Sequence, residues 1–396
     1  MRNKIAGDQT RARARLGPGA GHSQNGPVPR VVVCLDKFRG SATAAQACTA
    51  LADGLRRRSP ALDVREIPMA DGGEGTVDAL VAAGWTPHAV TVPGPLGHPV
   101  EARFAARAGC AAIEMAQAAG RHLVGDAPDA LRASTAGVGG LIEAALDLGC
   151  ESMVLAVGGS ATTDGGAGML QALGARLLDA AARDLPPGGG ALARLASVDL
   201  SGLDERLGHT RVTLAADVDN PLLGPRGAAA VFGPQKGASP DDVALLDHAL
   251  ARWANLVEPA TRSARGKPGA GAAGGLGFAA LAVLGARRLP GAEWLLDELG
   301  VDAALDGAAV VVVGEGRLDT QSLAGKAPVG VARAAARHGV PVVAVAGQVA
   351  LDDAQLAAAG IGRSWALADR AADSMTRALP LLSEVGAELA AAVEAG

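Results

Sequence analysis

The fold of this chain is decided by one stretch near its middle, residues 154–168, which reads VLAVGGSATTDGGAG. Its apolar start has the length of a buried strand, and the apolar residues that follow position 168 predict a helix. The glycines between them allow a sharp turn and let a ligand approach backbone N–H groups. Hydroxyl and carboxylate side chains on such a loop suit a phosphate with its metal, and the alternative is an ordinary strand-to-helix connection. These side chains belong to Ser160, Thr162, Thr163 and Asp164.

Composition narrows the class of protein. A chain of 396 residues with 49% hydrophobic and 19% charged side chains is expected to form two domains with a large apolar interior. The net charge of −5 and the 2% aromatic content provide neither a basic surface nor a stacking platform for nucleic acid. The four cysteines lack metal-binding spacing, and we interpret them as reduced thiols of a cytosolic protein.

The sequence shows no signal peptide and no membrane span. The N-terminus lacks an apolar segment, and the longest uncharged run, 269–286, is rich in glycine and alanine. We therefore expect a soluble, cytoplasmic protein. Residues 1–29 are basic with almost no large apolar side chains, which predicts a disordered tail.

A strand, a glycine-containing loop with acidic residues and a helix follow one another twice after the tail. The first of these loops is DKFRGS at 36–41, and the second is ADGGEGT at 70–76. Asp71 and Glu74 in the second loop could hold a metal or orient a hydroxyl group. The alternative is that they only cap the helix that follows.

The alternation of strands and helices gives way to a different pattern between residues 89 and 115. Short alternating segments separated by Gly and Pro predict antiparallel strands, and we place the start of a second domain here. Glu114 ends the last of these segments, where a carboxylate could face a cleft.

Another polar turn follows a predicted strand at 212–216. Asp217, Asp219 and Asn220 supply the oxygen-rich ligands that Mg²⁺ or a substrate hydroxyl would use. Farther along, Arg226 and Lys236 lie in Gly/Pro loops. Such cations suit a carboxylate or a phosphate, and solvated side chains are the alternative.

Two common nucleotide-binding motifs are excluded. GAGAAG at 269–274 matches GxGxxG, but it follows Gly266-Lys267-Pro268 instead of a strand, so we interpret it as a glycine-rich loop that opens a helix. The P-loop pattern GxxxxGK[ST] is missing from the sequence. The residues therefore favour neither an NAD-dependent dehydrogenase nor a P-loop enzyme.

The last third of the chain returns to alternating strands and helices. AVVVV at 309–313 is the strongest buried-strand pattern in the sequence, and it is predicted to end on the loop GEGRLDTQS at 314–322. A further strand is predicted at 341–345.

Five motifs together resemble the bacterial glycerate kinase family. They are DKFRGS (36–41), MADGGEGT (69–76), GGSATTDGG (158–166), DVDNPL (217–222) and GEGRLD (314–319), in the family's order. The first motif departs from the family, which more often has Ser before Phe38 and Lys after it. The resemblance implies ATP-dependent phosphorylation of D-glycerate to 2-phosphoglycerate, with Mg²⁺.

The resemblance also implies an α/β fold with two domains. A flavodoxin-like parallel-sheet domain would be built from both chain ends, 30–88 plus 287–396, and a mixed α/β domain, 89–286, would be inserted between them. The expected assembly is a monomer or a homodimer, without nucleic acid or membrane partners.

Candidate site residues come from the carboxylates, cations and glycines of these motifs, because phosphoryl transfer relies on positioning and charge neutralisation. Candidates for the general base or a metal ligand are Asp71, Asp164, Asp217 and Glu315, and those for Mg²⁺ are Asp217 and Asp164. Candidates for binding glycerate or the nucleotide are Asp36, Lys37, Arg39, Gly72, Gly73, Gly158, Gly159, Ser160, Thr162, Asn220, Arg317, Asp319 and Lys326. A substrate carboxylate would need a cation such as Arg39, Arg317 or Lys326.

We expect the site in a cleft between the domains, because ligands of open α/β sheets bind outside the carboxyl ends of the strands. The residues expected to line it are Asp36, Asp71, Ser160, Asp164, Asp217 and Glu315. Three alternatives stay open at this point: a 3-phosphoglycerate product, another small hydroxy acid as substrate, or a non-catalytic metabolite-binding protein.

Overall fold

The computed structural model describes residues 28–38, 40–324 and 327–394. The strands are β1 (Arg30–Leu35), β2 (Asp63–Glu66), β3 (Thr86–Pro93), β4 (Pro99–Arg107), β5 (Cys110–Glu114), β6 (Ser152–Ala156), β7 (Arg176–Leu178), β8 (Ser197–Asp199), β9 (Arg211–Ala215), β10 (Arg287–Leu289), β11 (Ala308–Leu318), β12 (Val342–Val349) and β13 (Arg363–Ala366).

Helices connect and cover these strands. They are α1 (Ala44–Arg58), α2 (Thr76–Ala82), α3 (Ala116–Ala119), α4 (Ala136–Asp147), α5 (Ala167–Ala172), α6 (Ala228–Phe232), α7 (Pro240–Val257), α8 (Ala272–Ala282), α9 (Gly291–Glu298), α10 (Val301–Leu305), α11 (Ala327–His338), α12 (Asp353–Ala358) and α13 (Ala378–Glu394).

The first sheet combines strands from both ends of the chain. Its order is β2-β1-β11-β12-β13, and every neighbouring pair is parallel. Counted within the sheet this is the order 2-1-3-4-5, which is flavodoxin-like. The continuous apolar runs form the central strands, where Val32 pairs with Val311 and both are fully buried. The predicted flavodoxin-like sheet is confirmed.

Helices cover both faces of the first sheet, which explains why its central strands are apolar on both sides. On one face Leu51 of α1 and Leu382 of α13 share a core with Val33 of β1. On the other face Val331 of α11 packs with Val32 and its neighbours.

The second sheet is formed by the middle of the chain, in the order β10-β9-β6-β5-β4-β3. The pairs β3–β4 and β4–β5 are antiparallel, as predicted for 89–115, whereas the pairs β5–β6, β6–β9 and β9–β10 are parallel. Its core includes Leu141 of α4, Met169 of α5, Trp253 of α7 and Phe278 of α8. The fold is therefore α/β with a parallel and a mixed sheet.

Strand β11 is longer than the sequence predicts. The pattern predicts a strand at 309–313, but β11 extends through Leu318 because the carboxyl end of β12 runs beside it. Glu315 pairs with Ala346, and Arg317 pairs with Gln348. Both candidate residues therefore lie in a strand, instead of in a loop after it.

The assignment to two domains stays a prediction. Strand β3 begins at Thr86 and β10 ends at Leu289, so the second sheet extends beyond the 89–286 segment at both ends. The predicted tail lies outside the described residues, apart from its last two positions. In the three described ranges, no helix is long and apolar enough to cross a membrane.

Candidate active site

The first sheet reverses its strand order between β1 and β11, and ligands of such sheets bind at the carboxyl ends beside this point. Asp36 follows β1 directly, and its N–H donates to the carbonyl of Gly314 in β11 at 2.8 Å. Glu315 is the next residue of β11. Two candidate carboxylates from distant parts of the sequence therefore lie close together.

Loops of the second sheet reach this edge of the first sheet. Gly158, which follows β6, lies against the backbone of Gly73. Gly72 has a φ of +75°, and a Cβ atom there would lie 2.8 Å from the Cα atom of Gly291, the first residue of α9. The glycines predicted to let a ligand approach therefore let loops of the two sheets approach each other.

Asp36 is a buried carboxylate at the centre of this edge. Burial raises the pKa of Asp36 to about 7, and the nearby charges of Asp71 and Glu315 add to the rise. The charge and the backbone N–H of Lys37 act in the opposite direction, with Lys37 N donating to Asp36 Oδ1 at 2.6 Å. Asp36 thus shares one electrostatic environment with two other candidates.

Asp217 follows β9 of the second sheet and joins the same group. Its Oδ1 atom accepts hydrogen bonds from the N–H groups of Gly291 at 2.7 Å and Ala292 at 3.3 Å. Desolvation raises the pKa of Asp217 to about 6, and the charge of Asp71 adds to the rise. The two N–H groups and Arg288 oppose it. The start of α9 therefore orients Asp217.

Asp71 lies near both of these carboxylates, because its charge raises the pKa of Asp36 and of Asp217. It is half-buried on the loop after β2. Among the described residues no hydrogen-bond donor is directed at its carboxylate, so both oxygens can meet a substrate. We use the name carboxylate cluster for four residues: Asp36, Asp71, Asp217 and Glu315.

Cations near the cluster are few in the described ranges. The amine of Lys37 donates to the carbonyl of Glu74 and lies 3.5 Å from Glu74 Oε2, so it is engaged with the loop that carries Asp71. Arg317 is mostly exposed, with its Nε atom 3.4 Å from Asp319 Oδ2. The candidates Arg39 and Lys326 lie outside the described residues.

The structure does not bring Asp164 to the cluster. Asp164 is fully buried, and its Oδ2 atom accepts hydrogen bonds from Thr135 N, Thr135 Oγ1 and Gly168 N at 2.8, 2.9 and 3.2 Å. Its Oδ1 atom accepts from Gly166 N at 3.1 Å. Burial raises its pKa, and these hydrogen bonds oppose the rise. The geometry places Asp164 as a support for the starts of α4 and α5, in contrast to the expected position in the cleft.

The polar side chains that precede Asp164 in the 158–164 loop also turn inward. Ser160 is buried and bridges to Gly120 through the backbone, and Thr162 is fully buried. Gly159 has a φ of +67°, a conformation that favours glycine. Gly158 and Gly159 of this loop lie at the edge facing the first sheet, beside Gly73 and Glu74 respectively.

The sequence context of Lys236 suggests either a carboxylate or phosphate ligand or a solvated side chain, and the structure shows a third arrangement. Lys236 is 1% exposed, and its amine donates to the carbonyl of Thr162 at 2.5 Å. Burial lowers the pKa of Lys236 to about 7, and the charge of Asp164 acts against this. Lys236 therefore supports the 158–164 loop from inside, where protein atoms enclose its amine.

The glycine-rich segment 269–274 supports the same loop. A Cβ atom on Gly274 would lie 1.9 Å from the carbonyl oxygen of Thr162, and Gly165 N–H donates to the Gly274 carbonyl at 3.0 Å. Close packing against the 162–165 segment explains the glycine at position 274.

The turn after β9 is held by its own polar groups. The side-chain amide of Asn220 donates to the carbonyl of Arg226 at 2.8 Å. Asp219 Oδ1 lies 2.7 Å from an Arg288 nitrogen. These contacts fix the turn that carries Asp217.

A cleft of about 570 Å³ opens beside Asp217. This volume is in the range of small-molecule sites, which is roughly 300–1,000 Å³. Apolar and charged side chains share its lining, which includes Pro290, Leu296, Val301, Ala334, Arg288, Arg333, Arg337, Asp297 and Asp302.

The donors of the carboxylate cluster decide whether Mg²⁺ fits this site. Within the described ranges, no group of three or more His, Cys, Asp or Glu residues has the arrangement of a metal site. Mg²⁺ that arrives with substrate phosphates needs only one or two protein carboxylates and keeps several waters. Asp217, which faces the cleft, fits this need, whereas the oxygens of Asp164 are already bonded inside the protein.

Three comparisons relate the chain to known proteins. Residues 31–394 match the model of the glycerate kinase family. A protein of Bacillus subtilis (strain 168) named glycerate kinase is 43% identical over 373 residues, which cover 92% of this chain and 98% of the relative. A protein of Escherichia coli (strain K12) named glycerate 2-kinase is 42% identical over 329 residues, which cover 82% of this chain and 86% of the relative.

A comparison of folds agrees with these sequence matches. A crystal structure described as a glycerate kinase 2 from Salmonella typhimurium LT2 superposes with a TM-score of 0.81 at 41% identity, covering 93% of this chain and 99% of that chain. The matched residues include both sheets and the whole carboxylate cluster.

Proposed function

The chain belongs to the glycerate kinase family, and we propose that it transfers the γ-phosphoryl group of ATP to the 2-hydroxyl of D-glycerate, giving ADP and 2-phosphoglycerate. The observation that carries this proposal is that the family match includes every loop that forms the carboxylate cluster. The name of the Escherichia coli relative supports the 2-hydroxyl as the position of transfer.

Asp71 is our candidate for the general base. A general base needs an ionised group within hydrogen-bond reach of the hydroxyl proton. In the cluster, Asp217 and Asp36 each have an oxygen bonded to backbone N–H groups, whereas Asp71 has no such partner among the described residues. Asp71 would therefore accept the proton as the glycerate oxygen attacks phosphorus.

Asp217 is our candidate ligand for the Mg²⁺ that accompanies ATP, which would neutralise charge on the phosphates when bound. The N–H groups of Gly291 and Ala292 fix Oδ1 of Asp217, and its position beside the cleft suits such a role. The fixed turn lets Asp217 be in place before the substrates bind.

Arg317 is our candidate for binding the glycerate carboxylate. Side chains two residues apart in a strand point to the same face, so Arg317 shares a face of β11 with Glu315 of the cluster. Its guanidinium is mostly exposed and forms a loose ion pair with Asp319. A carboxylate accepting two parallel hydrogen bonds from it would also orient the substrate.

The cleft beside Asp217 is our candidate site for the nucleoside of ATP. Apolar groups such as Leu296 and Ala334 suit the flat base, and the carboxylates of Asp297 and Asp302 suit ribose hydroxyls. Asp217, which lines the cleft and belongs to the carboxylate cluster, would place the phosphates toward that cluster.

A coupled ADP-release assay tests the proposed activity. We expect ADP release only when D-glycerate and Mg²⁺ are both present with ATP. Other small hydroxy acids serve as the comparison panel, and turnover at background for D-glycerate and the whole panel would remove the kinase interpretation.

A further inference from the structure

Helix α2 starts directly after the loop that carries Asp71, and it has no cap of its own. The residue at its N-cap position, Gly75, has a φ of 101° and no side chain to accept a hydrogen bond. Unbonded N–H groups in the first turn of a helix need an acceptor when they are removed from water. An acceptor must therefore come from elsewhere in the fold.

Glu114 supplies this acceptor from the other sheet. It is the last residue of β5 and is 1% exposed. Its Oε2 atom accepts hydrogen bonds from Gly75 N at 3.2 Å and from Val77 N at 3.1 Å. One carboxylate of the second sheet thus caps a helix that follows the first sheet.

The carboxylate of Glu114 is itself held in position. The side-chain amide of Gln117 donates to its Oε1 atom at 3.4 Å. Burial raises the pKa of Glu114 to about 7, while the N–H groups of Val77 and Gly75, then Gln117 and the charge of Lys37, favour its ionised form. Since a buried carboxylate is costly without partners, these contacts make its position specific.

The loop 71–75 is consequently fixed at both sides. Gly73 lies against Gly158 at one point, and Glu114 holds Gly75 at the other. The hydroxyl of Thr76, the first residue of α2, also donates to the Gly73 carbonyl at 2.6 Å. Loss of the Glu114 contact would free the end of the loop that carries Asp71.

We propose that Glu114 is a positioning residue for phosphoryl transfer: by capping α2 across the two sheets, it holds Asp71 in register with Asp217. This inference rests on the proposed function, since its effect is measured as turnover. A misplacement of about 1 Å at a reacting group costs up to roughly 100-fold in rate, so a distant cap can matter for kcat.

The test compares Glu114 variants in the full chain. Glu114→Ala removes the acceptor, Glu114→Asp withdraws it by one methylene, and Glu114→Gln keeps one acceptor oxygen. We expect kcat to fall about 10-fold to 100-fold in the Ala and Asp variants, with the KM for ATP little changed, and Glu114→Gln to restore most of kcat.

Glu258→Ala is the matched control. Glu258 Oε1 also accepts two backbone N–H groups, from Ala264 and Arg265, each at 2.9 Å. We expect this variant to lower the melting temperature without lowering kcat at a temperature where the protein is folded.

The outcomes separate this inference from the proposed function. Inactive wild-type protein would remove the proposed function itself. If the wild-type protein is active and Glu114→Ala lowers the melting temperature without lowering kcat, as expected for Glu258→Ala, the positioning role is overturned. If Glu114→Ala does not fold, the Asp and Gln variants decide, and equal kcat in both would overturn it as well.

Discussion

Gly158 lies against Gly73 so closely that a Cβ atom on Gly158 would be 2.7 Å from the Cα atom of Gly73. The two residues belong to loops after β6 and β2, which are strands of different sheets. A side chain at this contact would separate the two backbones. The relative position of the two sheet edges, and with it the geometry of the carboxylate cluster, therefore depends on the absence of side chains here.

Substituting Gly158 with Ala should impair both stability and turnover. The added methyl group meets backbone, so the loops must move, and overpacking of this kind costs about 1–3 kcal/mol. Thermal unfolding and kcat measure the two effects. Gly208→Ala is the control, because a Cβ atom at Gly208 meets open space. Equal behaviour of the two variants would show that the contact does not position the site.

Replacing Asp71 with Asn should lower kcat strongly while the protein stays folded. Loss of a general base typically costs about 10²-fold to 10⁴-fold. Steady-state kinetics with D-glycerate and ATP measures the effect. Asp78→Asn, a change on the exposed side of α2, is the matched control and should leave kcat unchanged. A normal kcat for Asp71→Asn would transfer the role of base to another carboxylate.

Filling the cleft should weaken ATP binding selectively. Gly330 lies in α11 and lines the cleft, and a Cβ atom there would approach Leu296 Cδ1 at 3.1 Å. Met is a better helix former than Gly, so Gly330→Met should not weaken the helix itself. We expect the KM for ATP to rise about tenfold, a loss of about 1.4 kcal/mol, with the KM for D-glycerate unchanged. Ala336→Met, at an exposed position of α11, is the control, and an unchanged KM for ATP in Gly330→Met would place the nucleotide elsewhere.

Glu114 should make stability depend on pH. Burial raises the pKa of Glu114 from 4.5 to about 7, so between these values the folded protein binds a proton that the unfolded chain has lost. Protonated Glu114 therefore stabilises the folded state. This stabilisation is complete below pH 4.5 and is lost as the pH rises through about 7, and the free energy of unfolding changes by about 3 kcal/mol over that range.

Glu114→Gln isolates this contribution, because it has no carboxyl group at the position. Its free energy of unfolding relative to wild type should rise between pH 4.5 and about pH 8, as measured by urea unfolding at several pH values. Asp36 and Asp217 titrate in both proteins, so their contributions cancel in the difference between the two free energies of unfolding. A difference that stays constant over this range would contradict the raised pKa.

The central strands of both sheets follow from local patterns, whereas the edge strands β10 and β13 have no such pattern. Continuous apolar runs such as Val31–Val33 and 309–313 can only be satisfied in strands buried on both faces, and Gly/Pro turns between short alternating segments indicate hairpins. The extension of β11 through Leu318 could not be predicted in this way. It depends on β12 running beside a glycine-containing segment that has no strand pattern of its own.

The site was predictable in part. Acidic residues directly after apolar strands lead to Asp36 and Asp217, because carboxyl ends of parallel strands share one edge. Asp164 has the same sequence context, but N–H groups from Thr135 and Gly168 enclose it, and such partners are visible only in three dimensions. Loop glycines are ambiguous for the same reason, since a ligand and a neighbouring backbone require the same absence of a side chain.

Lys236 and Glu114 show what the sequence could not resolve. Both are charged residues whose burial results from distant segments, the Thr162 carbonyl in one case and the start of α2 in the other. A glutamate at the end of an apolar strand indicates that the carboxylate faces something other than solvent. Its partner, the N–H group of Gly75, lies 39 positions away in the sequence, so the pattern does not identify it.

The phosphorus NMR spectrum of the reaction of ATP, Mg²⁺ and D-glycerate with the full chain tests the central claim most directly. We predict that signals of ATP are replaced by those of ADP and by a new phosphomonoester signal. That signal should be a doublet, because carbon 2 of glycerate carries a single hydrogen that couples to phosphorus. A triplet, which the two hydrogens of carbon 3 would produce, would contradict transfer to the 2-hydroxyl, and a spectrum with ATP unchanged would contradict the kinase activity itself.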